Sequence, residues 1–209
     1  MNAQDCLQML RDIRDVSFAT VDAEGFPHNR IIDVMLVEKD RLVFCTARGK
    51  DFYRQLTANP HVAISGLNRK WQMIRLRGTV RKLEDQAYWR DRIFTENPSM
   101  NDVYPGESRS ILDAFAIEVG TLEFFDLGTT PIHRENFGFG GSKAPVRGFC
   151  ITDRCIGCGT CRAHCPQQAI EKGEPYRIRQ DACLHCGLCF EKCPVHAIVR
   201  RGAEGDTEK

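Results

Sequence analysis

The sequence predicts a mainly β, α+β chain in two parts: a small antiparallel barrel with a few helices, then a small cysteine-rich module. Three observations carry this. Runs rich in Val, Ile and Phe recur from Met1 to about Arg134 with few helical stretches between them. Eight of the eleven cysteines fall between positions 155 and 193. Finally, Asp153, Gly159, Pro166, Ala169 and Ile170 return as Asp181, Gly187, Pro194, Ala197 and Ile198, each 28 residues later, so the module has two pseudo-symmetric halves.

In the first part, Leu7, Leu10 and Ile13 at helical spacing predict a helix over 2–14. SFATV, the turn DAEGFP and NRIIDVMLV then predict strand, turn and strand. RLVFCT reads as a third strand, KDFYRQLTAN as a short helix ended by Pro60, and HVAISGL as a fourth strand. WQMIRLRGTVRKL is a fifth, alternating Met73, Arg75 and Arg77 against Ile74, Leu76 and Val80, with Gly78 as a bulge. EDQAYWRDRIFTEN is helical, and DAFAIEVG and TLEFFDLG close the set as two further strands.

The cysteines read CIGCGTCRAHCP at 155–166 and CLHCGLCFEKCP at 183–194, two copies of CxxCxxCxxxCP. That run ligates iron-sulfur clusters in bacterial ferredoxins, because closely spaced thiolates on short loops can face one centre. Structural zinc fits poorly, since four-thiolate sites use two CxxC pairs with a longer spacer. A disulfide framework needs a secreted chain, and MNAQDCLQMLRD lacks the basic start and apolar run of a signal peptide. The residues closely resemble a ferredoxin with two four-iron clusters. The resemblance implies that the fourth cysteine of each run crosses over. It assigns Cys155, Cys158, Cys161 and Cys193 to one cluster and Cys183, Cys186, Cys189 and Cys165 to the other. With the cysteines saturating both clusters, His133, His164, His185 and His196 have no metal role. Cys6 and Cys45 are expected to be buried structural thiols and Cys150 a non-ligand.

The order of FATVDAEGFPHNR, FCTARGKDFYRQLTANPHVAI and WQMIRLRGTVRKLED resembles the pyridoxamine 5'-phosphate oxidase-like flavin-binding split barrels over about Met1–Leu127. The resemblance implies flavin mononucleotide (FMN) in a groove between the subunits of a homodimer. A dianionic phosphate suits arginine, lysine and loop N–H groups. On this reading Arg30 and Lys50 take the phosphate, the backbone near Ile31 contacts the isoalloxazine, Thr46 comes from the loop after the third strand, and Trp71 covers a ring edge. The neighbours of Lys50 are Gly49, Asp51 and Phe52, fewer cations than many oxidases of this superfamily place there. Pyridoxamine phosphate oxidation itself is not expected.

The expected organisation is a barrel over 1–130, a Gly- and Pro-rich linker over 131–149, the two-cluster module over 150–201 and a polar tail over 202–209. Phe137 and Phe139 are candidates to dock the linker on the barrel. With 42% hydrophobic residues, a formal charge of +1, spread cations and no long apolar run, neither nucleic acid nor membrane is an expected partner. Clusters of this kind and the absence of a targeting signal imply the cytoplasm. The expected function is redox traffic between two [4Fe-4S] clusters and FMN, serving a protein or small-molecule donor or acceptor. The alternatives are an electron carrier whose barrel only dimerises or docks, and a redox sensor.

Overall fold

The computed structural model describes residues 1–202, so the expected tail lies outside the described residues except for Gly202. Two compact units are present. One comprises Met1–Arg69, Met73–Glu123 and Phe137–Ala144; the other comprises Lys70–Gln72, Phe124–Asn136 and the described part of Pro145–Lys209.

The first unit opens with α1 (Ala3–Ile13), held at its start by reciprocal bonds between Asn2 and Asp5 and burying Cys6, Leu7 and Leu10 on one face. Strands β1 (Asp15–Val21) and β2 (Pro27–Asp33) form an antiparallel hairpin that pairs Phe18 with Arg30. Its turn is made by the Asp22 carboxylate, which accepts from the Glu24 and Phe26 N–H groups. Then follow β3 (Leu36–Val37), β4 (Leu42–Ala47), α2 (Asp51–Ala58), β5 (His61–Leu67), β6 (Gln72–Lys82), α3 (Gln86–Glu96), α4 (Met100–Val103) and β7 (Leu112–Asp126). The sheet runs β2-β1-β5-β6-β7-β4-β3, and β8 (His133–Phe139) joins β7.

The single strand expected over 29–37 is therefore two. β2 and β3 occupy opposite edges of the sheet path although only Val34 and Met35 separate them. Two linking residues span roughly 10 Å at most, so the sheet must curl until its edges approach. Val34 and Met35 are buried at this closure. The core inside the curl includes Phe18, Phe44, Phe52 and Phe115, with ring centroids 4.9 Å apart for Phe18–Phe44 and 5.8 Å for Phe44–Phe115. A second cluster of Met35, Leu36, Val43, Trp89, Ile93 and Leu112 packs α3 against β3, β4 and β7.

The two strands expected at 113–128 are one long strand, β7. Gly78 is not a bulge on its β5 side, where the register runs evenly through Ala63–Arg77, Val62–Gly78 and His61–Thr79. Close approach explains the glycine instead: a Cβ there would lie 2.5 Å from Ile117 Cγ2 and 2.8 Å from the Val119 carbonyl oxygen. Gly120 is tighter still, 2.3 Å from the Arg77 carbonyl oxygen and 3.0 Å from the buried Phe139 ring. The stretch expected as a linker thus contains β8, and its residues are divided between the two units.

In the second unit, β9 (Phe149–Ile151) pairs with β12 (Ile198–Arg200) and β10 (Ile170–Glu171) with β11 (Arg177–Ile178). Two short helices, α5 (Thr160–His164) and α6 (Leu188–Glu191), each begin after a left-handed glycine, Gly159 at φ 76° and Gly187 at φ 83°. The 28-residue recurrence also governs the backbone, since Gln168 and His196 share a left-handed φ of 51° and 49°. Phe149, Ile170, Tyr176, Ile178, Ala197 and Ile198 form the small core. Among the described residues no helix is long and apolar enough to cross a membrane.

Gly120→Ala should destabilise the first unit by about 1–3 kcal/mol, because the added methyl meets backbone that cannot yield easily. Gly49→Ala, with nothing within 4 Å of the new methyl, should change stability little. Denaturant unfolding followed by the fluorescence of buried Trp89 checks both; equal midpoints for the two variants would remove this account of Gly120.

Candidate functional site

The second unit brings cysteines of the two runs together. Cys165, Cys183, Cys186 and Cys189 line one small cavity together with Gly187, Leu188, Ile170 and Ile178. Burial first, then the charges of Cys165 and Cys186, raise the pKa of Cys183. Burial and the charges of Cys183, Cys186 and Cys165 push that of Cys189 up to about 11. The last cysteine of the first run therefore sits with the first three of the second. In the first run, burial leads and the nearby Cys155 and Cys158 add to the rise at Cys161. Cys158, on the surface, is lowered by its contact with the Thr160 hydroxyl at 3.4 Å.

Crowded thiolates removed from water are unfavourable without a compensating cation, and a cationic iron core supplies one. The donor set fits that group in a second respect. Backbone N–H groups already point at sulfur, from Ala169 to Cys165 at 3.3 Å, from Ala197 to Cys193 at 3.2 Å and from His185 to Cys183 at 3.4 Å. The first two are 28 residues apart and are the same bond in the two halves. All eleven cysteines are free thiols, which removes the disulfide framework.

Cys6 is fully buried in α1, and burial pushes the pKa of Cys45 up to about 12. Cys150 lies in β9 opposite Val199 and lines a different cavity, beside Glu174, Tyr176 and Gln180.

In the first unit Arg30 contacts α2, and Lys50 stands at the start of that helix. Arg30 reaches inward from β2 and donates to Thr20 Oγ1 at 2.6 Å, Gln55 Oε1 at 2.7 Å and the Phe18 carbonyl at 3.4 Å. Its guanidinium also lies 4.6 Å from the Phe52 ring centroid, and burial lowers its pKa. Thr46 is buried at the end of β4. Lys50 is exposed at the start of α2, whose first turn has no side-chain cap. Ile31, on edge strand β2, is 64% exposed. Trp71, 62% exposed with φ 62°, belongs to the second unit.

Beside them is a cluster the sequence did not suggest. The buried Asp113 carboxylate is held by Lys82 Nζ at 2.7 Å, Arg48 at 3.0 Å and the Tyr53 hydroxyl at 3.0 Å. Burial pulls the Asp113 pKa up, but these donors outweigh it and the net shift is downward. Arg48 is only two residues before Lys50, a signal that was available. Lys82 and Asp113 come close only through the strand order.

The sequence matches the pyridoxamine 5'-phosphate oxidase family over residues 3–115 and a 4Fe-4S dicluster domain over residues 154–197. Pyridoxine/pyridoxamine 5'-phosphate oxidases of Legionella pneumophila are 27% identical over 129 residues, which is 57% of this chain and 58% of theirs. The chain thus spans under two thirds of the length of the curated relatives it matches. A NimC/NimA family protein of Clostridium acetobutylicum superposes with a TM-score of 0.58 at 22% identity, covering 66% of this chain and 92% of that one. PhzG of Burkholderia lata, solved with tetrahydrophenazine-1-carboxylic acid, gives 0.51 at 16% identity, covering 68% and 85%. These likenesses establish the split-barrel fold.

Two outcomes follow from the geometry. Cys165→Ala should lower iron from about eight to about four atoms per chain, whereas Cys45→Ala should leave it unchanged; a full complement in the Cys165 variant would contradict cluster ligation by Cys165. Asp113→Asn should destabilise the first unit by about 1–3 kcal/mol near neutral pH by weakening a buried network. Because the carboxylate pKa is depressed on folding, its contribution is present above the ordinary carboxylate value of about 4 and fades as pH falls through the folded value. Unfolding of wild type and variant at pH 7 and at about pH 3 should show a gap that narrows in acid, and a gap of constant size would refute this.

Proposed function

Because the chain belongs to the pyridoxamine 5'-phosphate oxidase family and carries a 4Fe-4S dicluster domain, we propose that it is a redox flavoprotein that moves electrons between two [4Fe-4S] clusters and FMN. The observation that carries the reading is Cys165 lining one cavity with Cys183, Cys186 and Cys189. A flavin exchanges electrons singly or in pairs, so with one-electron clusters it would join hydride-type chemistry to single-electron transfer.

The residues around α2 support a phosphate there. Its uncapped first turn leaves backbone N–H groups available, and Lys50 and Arg48 add positive charge beside it. Arg30 also ties β2 to β1 through Thr20 and to α2 through Gln55. The exposed Ile31 and the unpaired edge of β2 are suited to a second copy of the chain, in keeping with a homodimer. A cytoplasmic location accords with free thiols and iron-sulfur ligation. The organic substrate is not carried over from the oxidases, since the shared region covers only 58% of their length.

One feature favours a second reading, an electron carrier or sensor whose barrel holds no flavin: the Arg30 donors are taken by protein acceptors. Anaerobic purification with metal and flavin analysis separates the two. We expect about eight irons per chain and flavin absorbance that falls about tenfold in affinity in Lys50→Ala, through loss of one charge-assisted hydrogen bond worth ~1.4 kcal/mol or more. Eight irons without flavin would support the carrier, and zinc in place of iron would end both readings.

A further inference from the structure

The segment Phe124–Asn136, which the sequence assigns to the barrel and linker, belongs with the cysteine module. It meets that module at two points. The Ile132 N–H donates to Gln167 Oε1 at 3.0 Å, two residues beyond Cys165. Arg134 Nη1 donates to the Cys183 carbonyl at 3.1 Å. Cys165 and Cys183 are the two thiols, one from each run, that must meet in the second cluster, so the segment clasps both sides of that site.

Arg134 brings more than a hydrogen bond. Its side chain is 7% exposed, and its guanidinium lies 4.5 Å from the centroid of the buried Phe125 ring. A cation out of water acts through a lower effective dielectric than one on the surface. At the first run, by contrast, the arginines are exposed to solvent: Arg154, which donates to the His196 carbonyl at 3.0 Å, and Arg162. Arg134 thus sets a buried positive charge within hydrogen-bond reach of the backbone of Cys183.

We propose that Arg134 is a positioning and tuning residue for the cluster held by Cys165, Cys183, Cys186 and Cys189, raising its reduction potential and making the two clusters electronically distinct. Reduction adds one electron from an external donor to the cubane and breaks no bond. The added negative charge is stabilised by a fixed cation beside one ligand, and no other arginine or lysine is buried among the described residues. This inference rests on the reading of the module as a two-cluster iron-sulfur unit.

The test is an anaerobic redox titration with dithionite, followed by paramagnetic resonance, on the full chain carrying its clusters. Arg134→Gln keeps an N–H donor but removes the charge; Arg134→Lys keeps the charge. In Arg134→Gln one cluster should show about a tenfold lower reduced-to-oxidised ratio at fixed potential, a shift of about 59 mV for a one-electron couple. The other should titrate as in wild type, and Arg134→Lys should restore most of the shift. Should Arg134→Gln fail to retain the cluster while Arg134→Lys holds it near the wild-type potential, the charge requirement stands. Unchanged potentials with full iron in Arg134→Gln would overturn the proposal while leaving the cluster reading intact. Loss of iron from both variants alike would assign the residue to folding alone and overturn it too. Absence of iron from wild type would instead defeat the underlying reading.

Discussion

The crowding of sulfur around the second cavity is the constraint on which the cysteine module depends. Four thiols drawn from two separate runs must face one centre, Cys183 and Cys189 out of water, a poor arrangement for thiolates unless positive charge sits among them. The backbone of the module serves that end. Left-handed glycines start α5 and α6 directly after the CxxC loops, and short paired strands hold the two halves together. With so small an apolar core, such a unit draws much of its stability from what the sulfurs bind.

The barrel obeys a different constraint, that of closure. Two residues join strands at opposite edges of the sheet, which obliges the sheet to bend, and the bend brings β6 and β7 so close that Gly78 and Gly120 have no room for a side chain. The same curvature carries Asp113 on β7 and Lys82 on β6 to the start of α2. The charges beside α2 are thus a product of sheet order.

What could be read from the sequence divides along this line. Cubane ligation is set by local spacing, so both cysteine runs and their 28-residue recurrence were legible without a fold. Strand-forming runs also announced the barrel. Where a strand stops was less visible, because the break at Val34–Met35 depends on where distant edges meet and the continuity of β7 on its neighbours. Arg30 looked like a phosphate fork because a lone arginine on a strand carries no hint of its partners; Thr20 and Gln55 lie 10 and 25 residues away. Arg134 was hidden by its setting, a stretch rich in glycine and proline that gave no periodic signal.

The fastening of Ile132 and Arg134 onto the cysteine runs bears on how such a chain can be cut and recombined. A boundary drawn at residue 150, where the ferredoxin-like text begins, would leave behind part of the module's own wall. A graft of this module onto another host should therefore begin at Phe124, because Ile132 and Arg134 bond to its cysteine runs.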